Sequence, residues 1–64
     1  MLELMLETWS TPRNGTTYRW SLWQDGTRIA SGNGLHPTLD EAEADGRRYC
    51  DEKVGRPPTR VTRL

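Results

Sequence analysis

Residues 17–31 read TYRWSLWQDGTRIAS, and this stretch decides the fold. Thr17 to Gln24 is dense in β-branched and aromatic side chains, which suits a strand. Asp25-Gly26 is a two-residue hairpin signal, and Thr27 to Ser31 returns antiparallel. The turn predicts a register that pairs Gln24 with Thr27, Trp23 with Arg28, Leu22 with Ile29, and Trp20 with Ser31. Side chains alternate along a strand, and paired residues share a face. Tyr18, Trp20, Leu22 and Ile29 therefore go to the core, and Arg19, Trp23 and Arg28 go to the opposite face.

Upstream, Leu2, Leu4 and Leu6 alternate with Glu3, Met5 and Glu7. Leu, Met and Glu are also good helix formers. The strand is preferred because Thr8-Trp9-Ser10 continues the alternation until Pro12 stops it. A two-residue Asn14-Gly15 turn would put the even-numbered leucines on the wrong face. A three-residue Arg13-Asn14-Gly15 loop with a glycine bulge restores the parity. It pairs Leu6 with Leu22, Met5 with Trp23, and Trp9 with Arg19. The expected outer face then carries Met5, Trp9, Arg19, Trp23 and Arg28, with Glu7 among them.

Downstream, Gly32-Asn33-Gly34 breaks the sheet, and Thr38-Leu39-Asp40-Glu41 forms a capping box that starts a helix. Acids in its first turn and Arg47, Arg48 and Lys53 near its end suit the helix dipole. Leu39, Ala42, Gly46, Tyr49 and Cys50 lie on one stripe at helical spacing. The small Ala42 and Gly46 at its middle would let the helix approach Trp20 closely. Gly55 closes the helix and Pro57-Pro58 forbids its continuation. Residues 56–64 (RPPTRVTRL) read as a basic tail or as a short edge strand through Val61. The expectation is an α+β fold: a three-stranded antiparallel sheet with one C-terminal helix on one face (β-β-β-α), spanning residues 1–55, followed by the tail.

The chain has 64 residues, three Trp and no Phe, and 33% of its residues are apolar. Its mean hydropathy of −0.88 and small size leave room for only a small core. Zero net charge hides strong segregation. Residues 13–35 carry a net +2, residues 36–52 a net −4 and residues 53–64 a net +4. Neutral totals weaken a general nucleic-acid reading, because such affinity rests on uncompensated positive charge. Cys50 is the lone cysteine, so no internal disulfide forms, which suits a reducing cytoplasm. The N-terminal apolar run contains Glu3 and Glu7 and lacks a basic start, unlike a signal peptide. No stretch approaches the ~20 apolar residues of a membrane span. Asn14-Gly15-Thr16 matches a glycosylation sequon and is read as a turn.

Catalytic chemistry finds little footing. His36, the single histidine, precedes Pro37 in a loop without neighbouring Cys, and reads as a loop or cap residue. The carboxylates cluster on the helix, where capping and solvation explain them. Ser31-Gly32-Asn33-Gly34 lacks the Lys and the spacing of a phosphate loop. Cys50 reads as a small buried hydrophobe. No enzyme, metal or cofactor is expected.

The sharper signal is the Met5/Trp9/Arg19/Trp23/Arg28 face. Its plainest reading is a cross-strand Trp23–Arg28 cation–π pair with the tail folded over the rest. Against that stands a protein interface, with a heterologous partner or a homodimer, because Trp, Met and Arg are enriched in interface cores. A DNA- or RNA-binding module is the alternative, with Arg on phosphates or base edges and Trp stacking on bases. Asp40, Glu41 and Glu43 on the helix, with Arg56, Arg60 and Arg63 in the tail, form a secondary contact surface.

From Tyr18 to Tyr49 the chain resembles several families built as three strands and a helix. Tyr18, Asp25-Gly26 and the Thr38-Leu39-Asp40-Glu41-Ala42 helix start resemble HicB-type antitoxins, which implies masking of a toxin. The same skeleton is similar to the arm-binding domain of phage integrases and to the end of double-stranded-RNA-binding domains, which implies a nucleic-acid contact. Asp40, Glu41 and Glu43 replace the lysines that the last two families place near the helix start. That argues against phosphate binding there and leaves Arg19, Arg28 and Trp23 to carry it. The size is also similar to that of small phage or mobile-element proteins, including inhibitors of host defence.

Overall fold

The computed structural model describes residues 1–13, 15–32 and 34–64. The order of elements is β1 (Leu2–Thr11), β2 (Gly15–Gln24), β3 (Thr27–Ser31), α1 (Leu39–Tyr49), a π-helical turn (Cys50–Val54) and β4 (Arg60–Arg63). The sheet has four strands in the order β3-β2-β1-β4, with β4 parallel to β1. This corrects the three-stranded antiparallel expectation and places the helix before the last strand instead of at the C-terminus. The C-terminal residues take the edge-strand form, with Val61 beside Leu4. Thr59 N–H donates to the Leu2 carbonyl at 2.7 Å and Leu64 N–H to that of Leu6 at 2.9 Å, anchoring both ends of β4.

The Asp25-Gly26 turn has φ of 51° and 85° at its two residues, the left-handed pair that a type I′ hairpin requires. It sets Gln24 against Thr27 and Trp23 against Arg28 as the sequence predicts. A β-bulge then intervenes, and Leu22 pairs with Ala30 and Ser21 with Ser31. The extra residue reverses the parity of β3. Ile29, expected in the core, is 50% exposed, and Ala30 turns inward in its place.

The first hairpin keeps the expected faces but slips by two residues. Leu6 pairs with Trp20, Leu4 with Leu22, Met5 with Ser21, Glu7 with Arg19, and Trp9 with Thr17. The expected register would have placed Pro12 in the ladder, where it has no N–H to donate. The observed pairing ends at Thr11 and Gly15, so Pro12 opens the connection, and Gly15 adopts φ 66°. Asn14, assigned to this loop and to the sequon, and Asn33 of the Gly32–Gly34 break lie outside the described residues.

Leu2, Leu4, Leu6, Trp20, Leu22, Ala42 and Cys50 are buried in one core between sheet and helix. Thr38 caps α1 by accepting from the Glu41 N–H at 3.1 Å. The predicted stripe faces inward, and its small residues are needed there. A Cβ on Gly46 would come within 2.7 Å of Leu4 Cδ1 and 3.2 Å of Trp20 Cγ. Gly55, at φ 84°, closes the π-helical turn by donating to the Cys50 carbonyl at 2.8 Å. Among the described residues no helix is long and apolar enough to cross a membrane.

Candidate recognition face

Because β1 and β2 alternate strictly, burial of the even-numbered leucines, Trp20 and Leu22 turns the intervening residues to the other side of the sheet. Glu3, Met5, Glu7 and Trp9 of β1 stand there beside Arg19, Ser21 and Trp23 of β2. Arg28 joins them through its pairing with Trp23, and Arg60 and Thr62 through theirs with Glu3 and Met5. The five expected contact residues thus share one face. Helix α1 packs on the opposite face, against Leu4 and Trp20.

The bonds across this face differ from the expected ones. The Arg19 guanidinium lies 4.8 Å from the centre of the Trp9 ring, so the cation–π pair is Trp9–Arg19 on neighbouring strands. Trp23 and Arg28 are register partners, but the Trp23 indole N–H donates to Ser21 Oγ at 3.0 Å. Ser21 Oγ donates in turn to Glu7 Oε2 at 3.2 Å. Such chained bonds polarise one another and fix the rotamers of their members. Ser21 is only 2% exposed although no helix covers it, because these neighbours close over it. Residue type alone gave no sign of this. The signal available was Ser21 standing in phase with Arg19 and Trp23.

Trp9 remains 44% exposed, a large apolar ring held in place by Arg19. Glu7 stands directly opposite Arg19 in the register, yet among the described residues no ion pair joins the two. The face thus keeps an anchored carboxylate and an anchored guanidinium side by side, neither of them in an ion pair among the described residues. At one margin Glu3 accepts from Thr62 Oγ1 at 2.6 Å and has Arg60 Nε at 3.7 Å.

The residues of the secondary surface are drawn elsewhere. Arg63 bridges from β4 to α1, 3.0 Å from Glu43 and 3.3 Å from Asp40. Arg47 and Arg63 hold the Glu43 carboxyl below its ordinary range, Arg47 having the larger effect. Arg56 donates to Gln24 Oε1 at 2.7 Å, and Glu41 is exposed. Acidic helix and basic C-terminus therefore neutralise one another in part instead of forming one patch with the sheet face.

On the helix side, a cleft of about 300 Å³ is lined by Trp20, Gly32, Asp45, Arg48 and Tyr49 among others. Asp45 accepts from the Trp20 indole N–H at 2.8 Å and from Arg48 at 2.9 Å. The indole bond, more than the charges of His36 and Arg48, holds its pKa below the ordinary value against the opposing effect of burial. His36 Nε2 stands 3.4 Å from the same carboxylate, while its backbone bridges to Tyr18. In sequence His36 reads as a loop residue, and no motif marks Asp45 as the point where the Trp20, His36 and Arg48 side chains meet. Burial raises the Cys50 thiol pKa, and the residue sits in the core. Among the described residues no three His, Cys, Asp or Glu side chains are grouped to hold a metal ion.

No family model, curated protein or solved structure matches this chain.

Proposed function

We propose that this protein is a small, non-enzymatic recognition module that binds a protein surface through the outer face of its sheet. The observation that carries this reading is Trp9, 44% exposed and braced by Arg19 on a sheet face that the helix leaves open. A preordered aromatic ring loses little side-chain freedom on binding, which is why Trp and Arg recur among interface anchors. Trp9 and Arg19 are the anchor, Met5 and Trp23 extend its apolar area, and Arg28 makes charge-assisted bonds at the margin.

The charge pattern favours protein over nucleic acid. A phosphate-binding face gathers uncompensated cations. Here Glu3 and Glu7 sit among the arginines, and Arg60 and Arg63 already lie near carboxylates. Site-specific photocrosslinking in the cells that make the protein tests the reading. A photoreactive residue at position 9 should give a discrete protein adduct, and one at position 44 on the exposed side of α1 should not. Equal labelling from both positions, or none from position 9, would overturn it.

A further inference from the structure

We infer that the occupant of this face is a second copy of the same chain, packed sheet to sheet about a two-fold axis. The inference rests on the recognition reading above and names its partner.

Three observations point to self-pairing. The first is charge complementarity within one surface. The acids of the face, Glu3 and Glu7, lie on β1, and its bases, Arg19, Arg28 and Arg60, on β2, β3 and β4. A two-fold axis parallel to the strands and passing between β1 and β2 lays β1 of each copy over β2 of the other, without shifting height along the strands. Residues paired in the register then meet across the interface. Glu7 of one copy meets Arg19 of its partner, twice by symmetry, and Met5 meets Ser21. At the centre of the face this is the self-complementary pattern that a two-fold contact demands, while at each margin Arg28 of one copy comes over Arg60 of its partner. The central pairing supplies opposite charges to two groups that take part in no ion pair among the described residues.

The second is shape. The open face is built on two adjacent ten-residue strands, and the helix lies on the other side of the sheet. Aligned packing of two twisted sheets about 10 Å apart is also a common β-sandwich arrangement.

The third is the size of the core. Among the described residues, Leu2, Leu4, Leu6, Trp20, Leu22, Ala42 and Cys50 form its buried apolar cluster. Domains this small commonly gain stability from association. Face-to-face pairing would bury Trp9, Met5 and Trp23 at once.

Sedimentation equilibrium on purified wild type, Arg19→Glu, Glu7→Arg and an equimolar mixture of the two variants tests the inference. The wild type should be a dimer. Each variant alone puts like charges together at both symmetry-related contacts and should weaken association by at least about tenfold. The mixture restores opposite charges at both contacts only if the pairing is between chains, so it should dimerise again. Met5→Glu should split the wild-type dimer independently, which keeps the test intact if either charge reversal fails to fold by circular dichroism. A monomeric wild type, a dimer indifferent to these changes, or a mixture that stays monomeric would each overturn the inference. A monomeric wild type that still yields a position-9 adduct with a different protein would leave the recognition reading standing and remove the second copy. Absence of any adduct from position 9 would remove both.

Discussion

The Trp20 indole sets strong limits on its neighbours, because the backbone at Gly32 and at Gly46 lies close against it. A Cβ on Gly32 would lie 2.6 Å from Trp20 Nε1 and 2.9 Å from Cδ1, with a rigid ring that cannot yield locally. Gly34, two residues on, has nothing within 4 Å of the same position. Gly32→Ala should therefore destabilise by ~1–3 kcal/mol through overpacking. Gly34→Ala should be neutral or stabilise by up to ~1 kcal/mol by restricting the unfolded chain. Urea midpoints of the two variants check this, and equal midpoints would mean that Gly32 does not abut the indole. Asp45 ties the same ring to α1, and its lowered pKa gives a sign for pH dependence. A carboxyl held below its ordinary value of 3.8 binds fewer protons folded than unfolded. Its contribution is thus full above that value and is lost as pH falls through the depressed one. Stability should fall in that acid range, and Asp45→Asn should flatten part of the slope in urea titrations run from neutral to acid pH. Glu43 and Asp25, also lowered by neighbouring cations, keep the remainder.

Among the elements, β3 makes the most specific claim, because its bulge decides which side chain enters the core. Leu22 faces Ala30, and Ile29 is half exposed at the irregularity. Ile29→Ala should cost no more than ~0.5 kcal/mol, as for ordinary surface changes. Leu22→Ala, which empties a fully buried site, should cost ~2–5 kcal/mol. Comparable losses in denaturant midpoint would restore the unbulged register. The same strand shows where sequence stops being informative. Facing is legible because the side-chain period is two, so the Leu2/Leu4/Leu6 and Trp20/Leu22 sets fix the core faces of β1 and β2 whichever even shift is chosen. The slip by two residues conserves parity and leaves no trace in hydrophobic pattern; the missing N–H of Pro12 was its only local cause. A bulge adds one residue without any required residue type, and Ile29 looks like a better core residue than Ala30. Arg63 was legible as a cation but not as a link between β4 and α1, since Asp40 and Glu43 are 23 and 20 residues away in sequence. The Trp9–Arg19 pairing was readable as a shared face, whereas its ring-to-guanidinium contact depended on the register.

At the scale of the whole molecule, the crossover from β3 through α1 to β4 carries the chain from one edge of the sheet to the other. All helical cover therefore falls on one face, and the second face is left with Trp9, Trp23, Met5 and both signs of charge. A single layer of helix and sheet built on seven buried apolar residues among those described has little stability to spare. If two copies close over their open faces, folding and association become linked, and stability depends on protein concentration by mass action. The thermal midpoint of the wild type should then rise as concentration is increased. That of Arg19→Glu should stay nearly flat, because its like-charge contacts oppose pairing at any working concentration. Added salt should lower the wild-type midpoint most at high protein concentration, where dimers are populated and the Glu7–Arg19 contacts between copies are there to be screened. An intramolecular charge effect gives a salt dependence that is the same at every concentration. A thermal midpoint independent of concentration in the wild type would mean that the open face is stable in water as a monomer. Its preordered Trp9–Arg19 pair would then belong to recognition of a different protein.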